Sequence, residues 1–174
     1  DVYVPEGAGP YPGIIMVHGG GWDARTRKDM AGISKKLARR GYVVFNIDYR
    51  LAPRARYPAA LEDTRAAIRW MRAHAAELKL DAARIGGWGY SAGAHLVLLA
   101  ALKDAAPEER LQAVVGGGTP SDFSRYPKSP IISKFIGGTS AEKPEAWKDA
   151  SPITHLDAKD PPVFLYHGSW DKLV

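Results

Sequence analysis

The chain contains no cysteine among its 174 residues, so neither a disulfide framework nor a thiolate metal site can form. No apolar run approaches the ~18 residues that a membrane-spanning helix needs. Blocks of like charge are also missing. The net charge is +5, yet the basic residues are strung singly or in pairs along helical stretches, as in Arg25, Arg27, Lys28, Lys35, Lys36, Arg39 and Arg40. Without the aromatic interleaving of an RNA-binding sheet, they read as a solvated helix face, not a nucleic-acid surface. The chain opens Asp1-Val2-Tyr3-Val4-Pro5, with no Met and no basic-then-apolar leader. That opening reads as the middle of a strand, and upstream sequence is expected. Hydrophobic residues at 45% and charged residues at 25% are ordinary globular usage, which excludes disorder, collagen and coiled coil. The length suits one domain with a sizeable core.

Short apolar runs alternate with helical patterns. Ile14-Ile15-Met16-Val17 is uniformly apolar, as expected for a strand buried on both faces. Met30, Ile33 and Leu37 follow at helical spacing, with Gly41 as a stop. Residues 42–47 read as the next strand. Leu61, Ile68, Met71, Ala75 and Leu78 mark one face of a long helix opened by Pro58. Residues 84–88 form a glycine-bearing strand, and 95–102 an apolar helix, hydrophobic nearly all round and so buried. Residues 113–115 and 163–166 are further strands. Between them, 119–162 is rich in Pro, Ser and Gly and is expected to carry short helices and loops over the sheet edge. The alternation predicts a three-layer α/β/α domain with a mostly parallel sheet, whose ligands bind at the carboxyl ends of the strands.

Three segments carry chemistry, each following a strand. Gly89-Tyr90-Ser91-Ala92-Gly93 fits G-x-S-x-G between a strand and a helix. Small residues on either side let strand and helix pack closely around an exposed hydroxyl, and the helix start offers N–H groups to an oxyanion. The bland reading is a glycine-rich strand-to-helix turn. His18-Gly19-Gly20-Gly21-Trp22 frees the backbone to aim N–H groups into a cleft. No Gly-Lys-Ser/Thr follows it, so a Walker phosphate loop is excluded; a surface turn remains the alternative. His167-Gly168-Ser169-Trp170-Asp171 places a carboxylate at the same sheet edge, where it either orients an imidazole or caps a turn.

Together these segments resemble the α/β-hydrolase superfamily. Asp48-Tyr49-Arg50-Leu51-Ala52-Pro53, residues 57–63, Arg69-Trp70 and residues 84–88 narrow the likeness. In that order they are similar to carboxylesterases related to hormone-sensitive lipase and to the bacterial feruloyl and acetyl-xylan esterases beside them. The resemblance implies Ser91 as nucleophile and Asp171 as the acid of a triad running Ser, Asp, His along the chain. It implies oxyanion N–H groups from Gly20, Gly21 and Ala92. Trp22 and Tyr90 flank these loops and either line the acyl or alcohol pocket or pack. No metal or organic cofactor is implied, and the partner is a small-molecule ester. Two positions depart from the pattern: Tyr90 stands where an acid is frequent, and Ala94 where a second glycine is common.

The resemblance also requires a histidine after the acid, and none lies between Asp171 and Val174. His18, His74, His95, His155 and His167 do not match the required general base. Residues 1–174 are therefore expected to be part of a larger hydrolase domain, incomplete at both ends, whose last strand, helix and His loop lie elsewhere. A serine without a base is a weak nucleophile, so the piece alone should be nearly inactive. The expected activity is hydrolysis of short-chain or aromatic acyl esters through an acyl-enzyme. Alternatives are an amide-cleaving hydrolase on the same scaffold, a peptidase with a gating domain, and an inert scaffold or binding module.

Overall fold

The computed structural model describes residues 1–171. Six strands form one sheet in the order β1-β3-β2-β4-β5-β6. They are β1 (Val2–Tyr3), β2 (Tyr11–Val17), β3 (Val43–Ile47), β4 (Leu80–Tyr90), β5 (Val114–Gly117) and β6 (Val163–Tyr166). All neighbours are parallel except β1, which runs antiparallel to β3. The helices are α1 (Ala31–Ala38), α2 (Ala59–Ala73), α3 (Ala92–Leu102), α4 (Pro130–Ile136) and α5 (Pro144–Asp149).

Uniformly apolar strands demand cover on both faces. Ile15, Val17, Ile85 and Val114 share one buried cluster with Leu61, Ile68 and Met71 of α2 and Leu96, Val97 and Leu99 of α3. Met16 and Val44 alternate to the opposite face, where α1 packs on β3. Every residue of α3 except Ala101 is buried, as its all-round apolar sequence requires.

Several boundaries differ from the periodic reading: β2 and α3 start earlier than expected, β5 runs on to Gly117, and two differences are larger. The strand expected at 84–88 extends over Leu80–Tyr90, with a register shift against β2 between Tyr11 and Gly13. The long helix ends at Ala73, although Ala75 and Leu78 continue its apolar stripe. Those two side chains still pack on the core from the turns that follow, which close through Lys79 at φ 54 and the Leu80 N–H to Ala75 carbonyl bond of 2.8 Å. Residues 119–162 do hold short helices. Ser129 caps α4 through Ile132 N–H at 3.3 Å, Pro130 opens the helix, and Gly137 at φ 83 ends it.

The chain leaves β2 toward β3 and returns to the other side of β2 as β4. The sheet order reverses there, so a crevice opens at the carboxyl ends of β2 and β4. Residues 18–22 and Ser91 both emerge into it.

Candidate active site

Val17 pairs with Gly89, so the loop after β2 and the turn after β4 start side by side. Close packing there leaves no room for a Cβ on Gly89 or Gly93. A methyl on Gly93 would stand 2.1 Å from the Val17 carbonyl oxygen, and one on Gly89 would stand 2.3 Å from the Gly93 carbonyl carbon. The two glycines of G-x-S-x-G are therefore the contact between β4, α3 and β2. Ser91 sits on top of that contact at φ 53, ψ −121, a sparsely populated conformation for a residue with a side chain. Its N–H donates to Gly117 at 2.7 Å and its carbonyl accepts from His95 N–H at 3.0 Å. Those bonds hold the strained residue between β5 and the first turn of α3.

The loop after β2 lies against this turn. A Cβ on Gly19 would meet the Tyr90 carbonyl oxygen at 2.8 Å and Ser91 Cβ at 3.2 Å. Gly20 has φ 115 and Gly21 φ 60, conformations that glycine adopts without penalty. Gly20 turns its carbonyl inward to accept from Asp23 N–H at 3.2 Å and Ala24 N–H at 3.1 Å. Among the described residues, no protein acceptor takes up the N–H groups of Gly20, Gly21 or Ala92. The last of these is the first residue of α3, where helix N–H groups lack internal partners and the dipole is positive.

The segment after β3 braces that loop. The Tyr49 hydroxyl donates to the His18 carbonyl at 3.1 Å, and its ring stacks on His18 at 4.4 Å. Ala52 N–H donates to Trp22 carbonyl oxygen at 2.9 Å. Asp48 pairs with the Arg27 guanidinium and accepts Arg27 N–H at 2.6 Å. Burial works against the Asp48 carboxylate, but these bonds to Arg27 prevail and hold its pKa below the usual range.

Beside Ser91 a cleft of about 500 Å³ opens. Its lining includes Gly19, Gly20, Gly21, Tyr90 and Ser91, together with Met30, Pro120, Tyr126, Ile131 and Ile132, and the polar Arg25, Asp29 and Ser129. Tyr90, a lining residue, is 47% exposed, and its ring tip lies beside Gly118. Trp22 also borders the cleft, yet it is only 3% exposed, and its indole stacks on Phe135 and meets Phe123 edge-on. Packing accounts for most of that side chain. The contributions of Tyr126, Ser129, Ile131 and Ile132 come from α4 and the loop before it, a region whose sequence signalled only short helices.

Asp171 follows β6 in a turn closed by its N–H on the Gly168 carbonyl at 2.9 Å. Its Oδ2 lies 3.3 Å from where a Cβ on Gly118 would be, and Tyr90 Cζ lies 3.5 Å from the same point. Gly118 N–H in turn donates to the Tyr166 carbonyl at 2.9 Å. Ser91 and Asp171 thus reach the same rim from β4 and β6, across residues 117–118 at the end of β5.

The histidines are placed elsewhere. His18 is buried and bonded through Nδ1 to the Gly19 carbonyl at 2.7 Å. His74 stacks on Trp70, and His155 Nε2 meets the Asp149 carbonyl at 2.8 Å. His95 is fully buried with both ring nitrogens bonded, as its position inside an apolar helix implied. His167 is exposed at the end of β6. No group of three or more potential ligands stands close enough for a metal ion among the described residues, and no helix there is long and apolar enough to cross a membrane.

Comparison with known proteins adds three kinds of match. The family model BD-FAE matches residues 1–174. The esterase LipC of Mycobacterium tuberculosis is 32% identical over 183 aligned residues, covering 95% of this chain and 45% of its own. A bifunctional GH43-CE protein of Bacteroides eggerthii superposes with a TM-score of 0.91 at 30% identity, over 100% of this chain and 29% of that one. Thermogutta terrifontis esterase 2, solved as its sarin-phosphonylated form, gives a TM-score of 0.85 at 27% identity, over 99% and 68%. The chain spans between 42% and 58% of the length of curated relatives that match it over most of its residues, 45% in the case of LipC.

Proposed function

Since the chain belongs to the BD-FAE family of α/β-hydrolase esterases, we propose that it supplies the nucleophile half of a serine carboxylic ester hydrolase. The observation that carries this reading is the strained Ser91, held directly against a glycine loop whose Gly20 and Gly21 N–H groups have no acceptor among the described residues, at the reversal point of the sheet. Covalent phosphonylation of the Thermogutta relative supports it by analogy.

In this mechanism Ser91 Oγ attacks the acyl carbonyl while an imidazole takes the hydroxyl proton. That imidazole comes from a segment outside these 174 residues, since no described histidine is placed for the task. Asp171 orients it and stabilises its charged form. The N–H groups of Gly20, Gly21 and Ala92 hold the tetrahedral oxyanion. The imidazolium returns its proton to the leaving alkoxide, which departs as the alcohol. Water then attacks the acyl-Ser91 ester with the same base, releasing the acid and restoring the hydroxyl.

The cleft supports a small or aromatic acyl group on a small-molecule ester. Ile131, Ile132, Met30 and the Tyr90 and Tyr126 rings give an apolar wall, whereas Arg25, Asp29 and Ser129 provide polar contacts for a hydroxylated alcohol. An amide would use the same atoms with a different leaving group.

A fluorophosphonate probe tests the reading on the full-length polypeptide. The wild type should label, and Ser91→Ala should abolish labelling. A folded wild type that does not label favours an inert scaffold instead. A panel of p-nitrophenyl acyl esters then ranks acyl size.

A further inference from the structure

His95 and Trp22 do more than fill space. His95 lies one turn after Ser91 on α3 and donates its backbone N–H to the Ser91 carbonyl at 3.0 Å. Its Nδ1 accepts the indole Nε1–H of Trp22 at 3.2 Å, and its Nε2 meets the Ala150 carbonyl at 2.7 Å. One residue thus bonds directly to the residue bearing the nucleophile and to the residue that ends the glycine loop. Trp22 itself has φ 60, a left-handed conformation unfavourable for a bulky side chain, so something must hold it. Its indole is clamped between Phe135 at 4.6 Å and the edges of Phe123 and His95.

We propose that the Trp22–His95 hydrogen bond is a positioning device, which fixes the N–H groups of Gly20 and Gly21 relative to Ser91. The proposal rests on the reading of those groups as oxyanion donors. The chemistry of the bond leaves one tautomer. An indole N–H only donates and a carbonyl oxygen only accepts, so the ring must carry its proton on Nε2 and present a bare Nδ1. Complete burial pushes the His95 pKa down to about 4, which keeps that neutral form in place. The same arrangement excludes His95 as the general base, because its only free lone pair already receives the Trp22 proton.

Two amide substitutions separate the two bonds. In His95→Asn the side-chain oxygen reaches the Nδ1 position and retains an acceptor for Trp22. In His95→Gln the amide nitrogen reaches the Nε2 position and retains the donor to Ala150, but the Trp22 acceptor is lost. Trp22→Phe keeps an aromatic ring and removes the donor. With p-nitrophenyl acetate and the full-length polypeptide, Trp22→Phe and His95→Gln should lower kcat roughly 10- to 100-fold with KM little changed. His95→Asn should stay within about threefold of wild-type kcat. An unchanged kcat in Trp22→Phe and His95→Gln, while Ser91→Ala is inactive, overturns the proposal and leaves the ester-hydrolase reading intact. Equal losses in His95→Asn and His95→Gln also overturn it, since the site then needs only an intact imidazole. Turnover that survives in Ser91→Ala defeats the active-site reading and the proposal with it. Long-range proton–nitrogen NMR of the folded wild type checks the tautomer without any variant: an Nε2–H ring is expected, and an Nδ1–H ring overturns the proposal.

Discussion

The two ends of the sheet rim that carries Ser91 and Asp171 are built differently. Around Ser91 the backbone touches backbone. Gly93 abuts the Val17 and His18 carbonyls, and the aromatic rings of Trp22, Phe123, Phe135 and His95 lock into one another. At the Asp171 end, every residue of β6 is exposed, Phe164 at 64%, and Trp170 in the turn after it is 87% exposed. The first region has its shape enforced by contacts within residues 1–171. The second leaves apolar strand surface exposed among the described residues, which is costly in water. The surroundings of Ser91 are therefore pre-formed, whereas Asp171 sits on a margin that draws less support from residues 1–171.

That contrast can be broken by mutation. Phe123 is wholly buried against Trp22, His95 and Trp147, so Phe123→Ala should cost about 4 kcal/mol in urea unfolding. Gly93→Ala forces a methyl to 2.1 Å from the Val17 oxygen and should cost about 3 kcal/mol, or prevent folding, with fluorophosphonate labelling lost in either case.

An acid titration probes the same region. The folded state keeps His95 neutral down to about pH 4, whereas the unfolded chain protonates it near 6.5. The unfolded state binds the extra proton between those values. Stability therefore falls as pH drops through that window, by about 3 kcal/mol in total, and this contribution is unchanged above it. His95→Asn should flatten the acid limb by roughly one proton. At the exposed margin the effect should be smallest. Phe164→Ala should change the stability of this 174-residue chain by no more than about 0.5 kcal/mol. A loss as large as that of Phe123→Ala would show that the two ends are equally enclosed.

Much of this organisation was legible in the amino-acid order. The strand at 163–166 has the expected limits, and the sheet-facing helix ends as expected at Leu102 although it starts three residues earlier, at Ala92. The G-x-S-x-G glycines also read correctly as a packing requirement. The end of α2 did not, since Ala75 and Leu78 stay on the apolar stripe after the helix has stopped and no glycine or proline marks the change. The bracing by Tyr49 and the role of His95 were hidden for a different reason. Their partners are distant in sequence, with Trp22 73 positions from His95 and Ala150 55 positions from it. A local reading sees only a polar residue in an apolar helix. That oddity was the signal available, and only the tertiary contacts say what it is for.

Helix α4 divides its labour between two faces. Ile132, Phe135 and Ile136 are buried, whereas Ile131 is 48% exposed and lies against Gly21 at the cleft. Phe135 and Ile136 anchor the helix in the core, Ile132 is shared between core and cleft lining, and Ile131 faces the cleft while staying half exposed. Such a layout is evolvable. Position 131 can be resized in a mutant library without disturbing Phe135 and Ile136, which hold the helix down, so the shape of the cleft can change independently of fold stability.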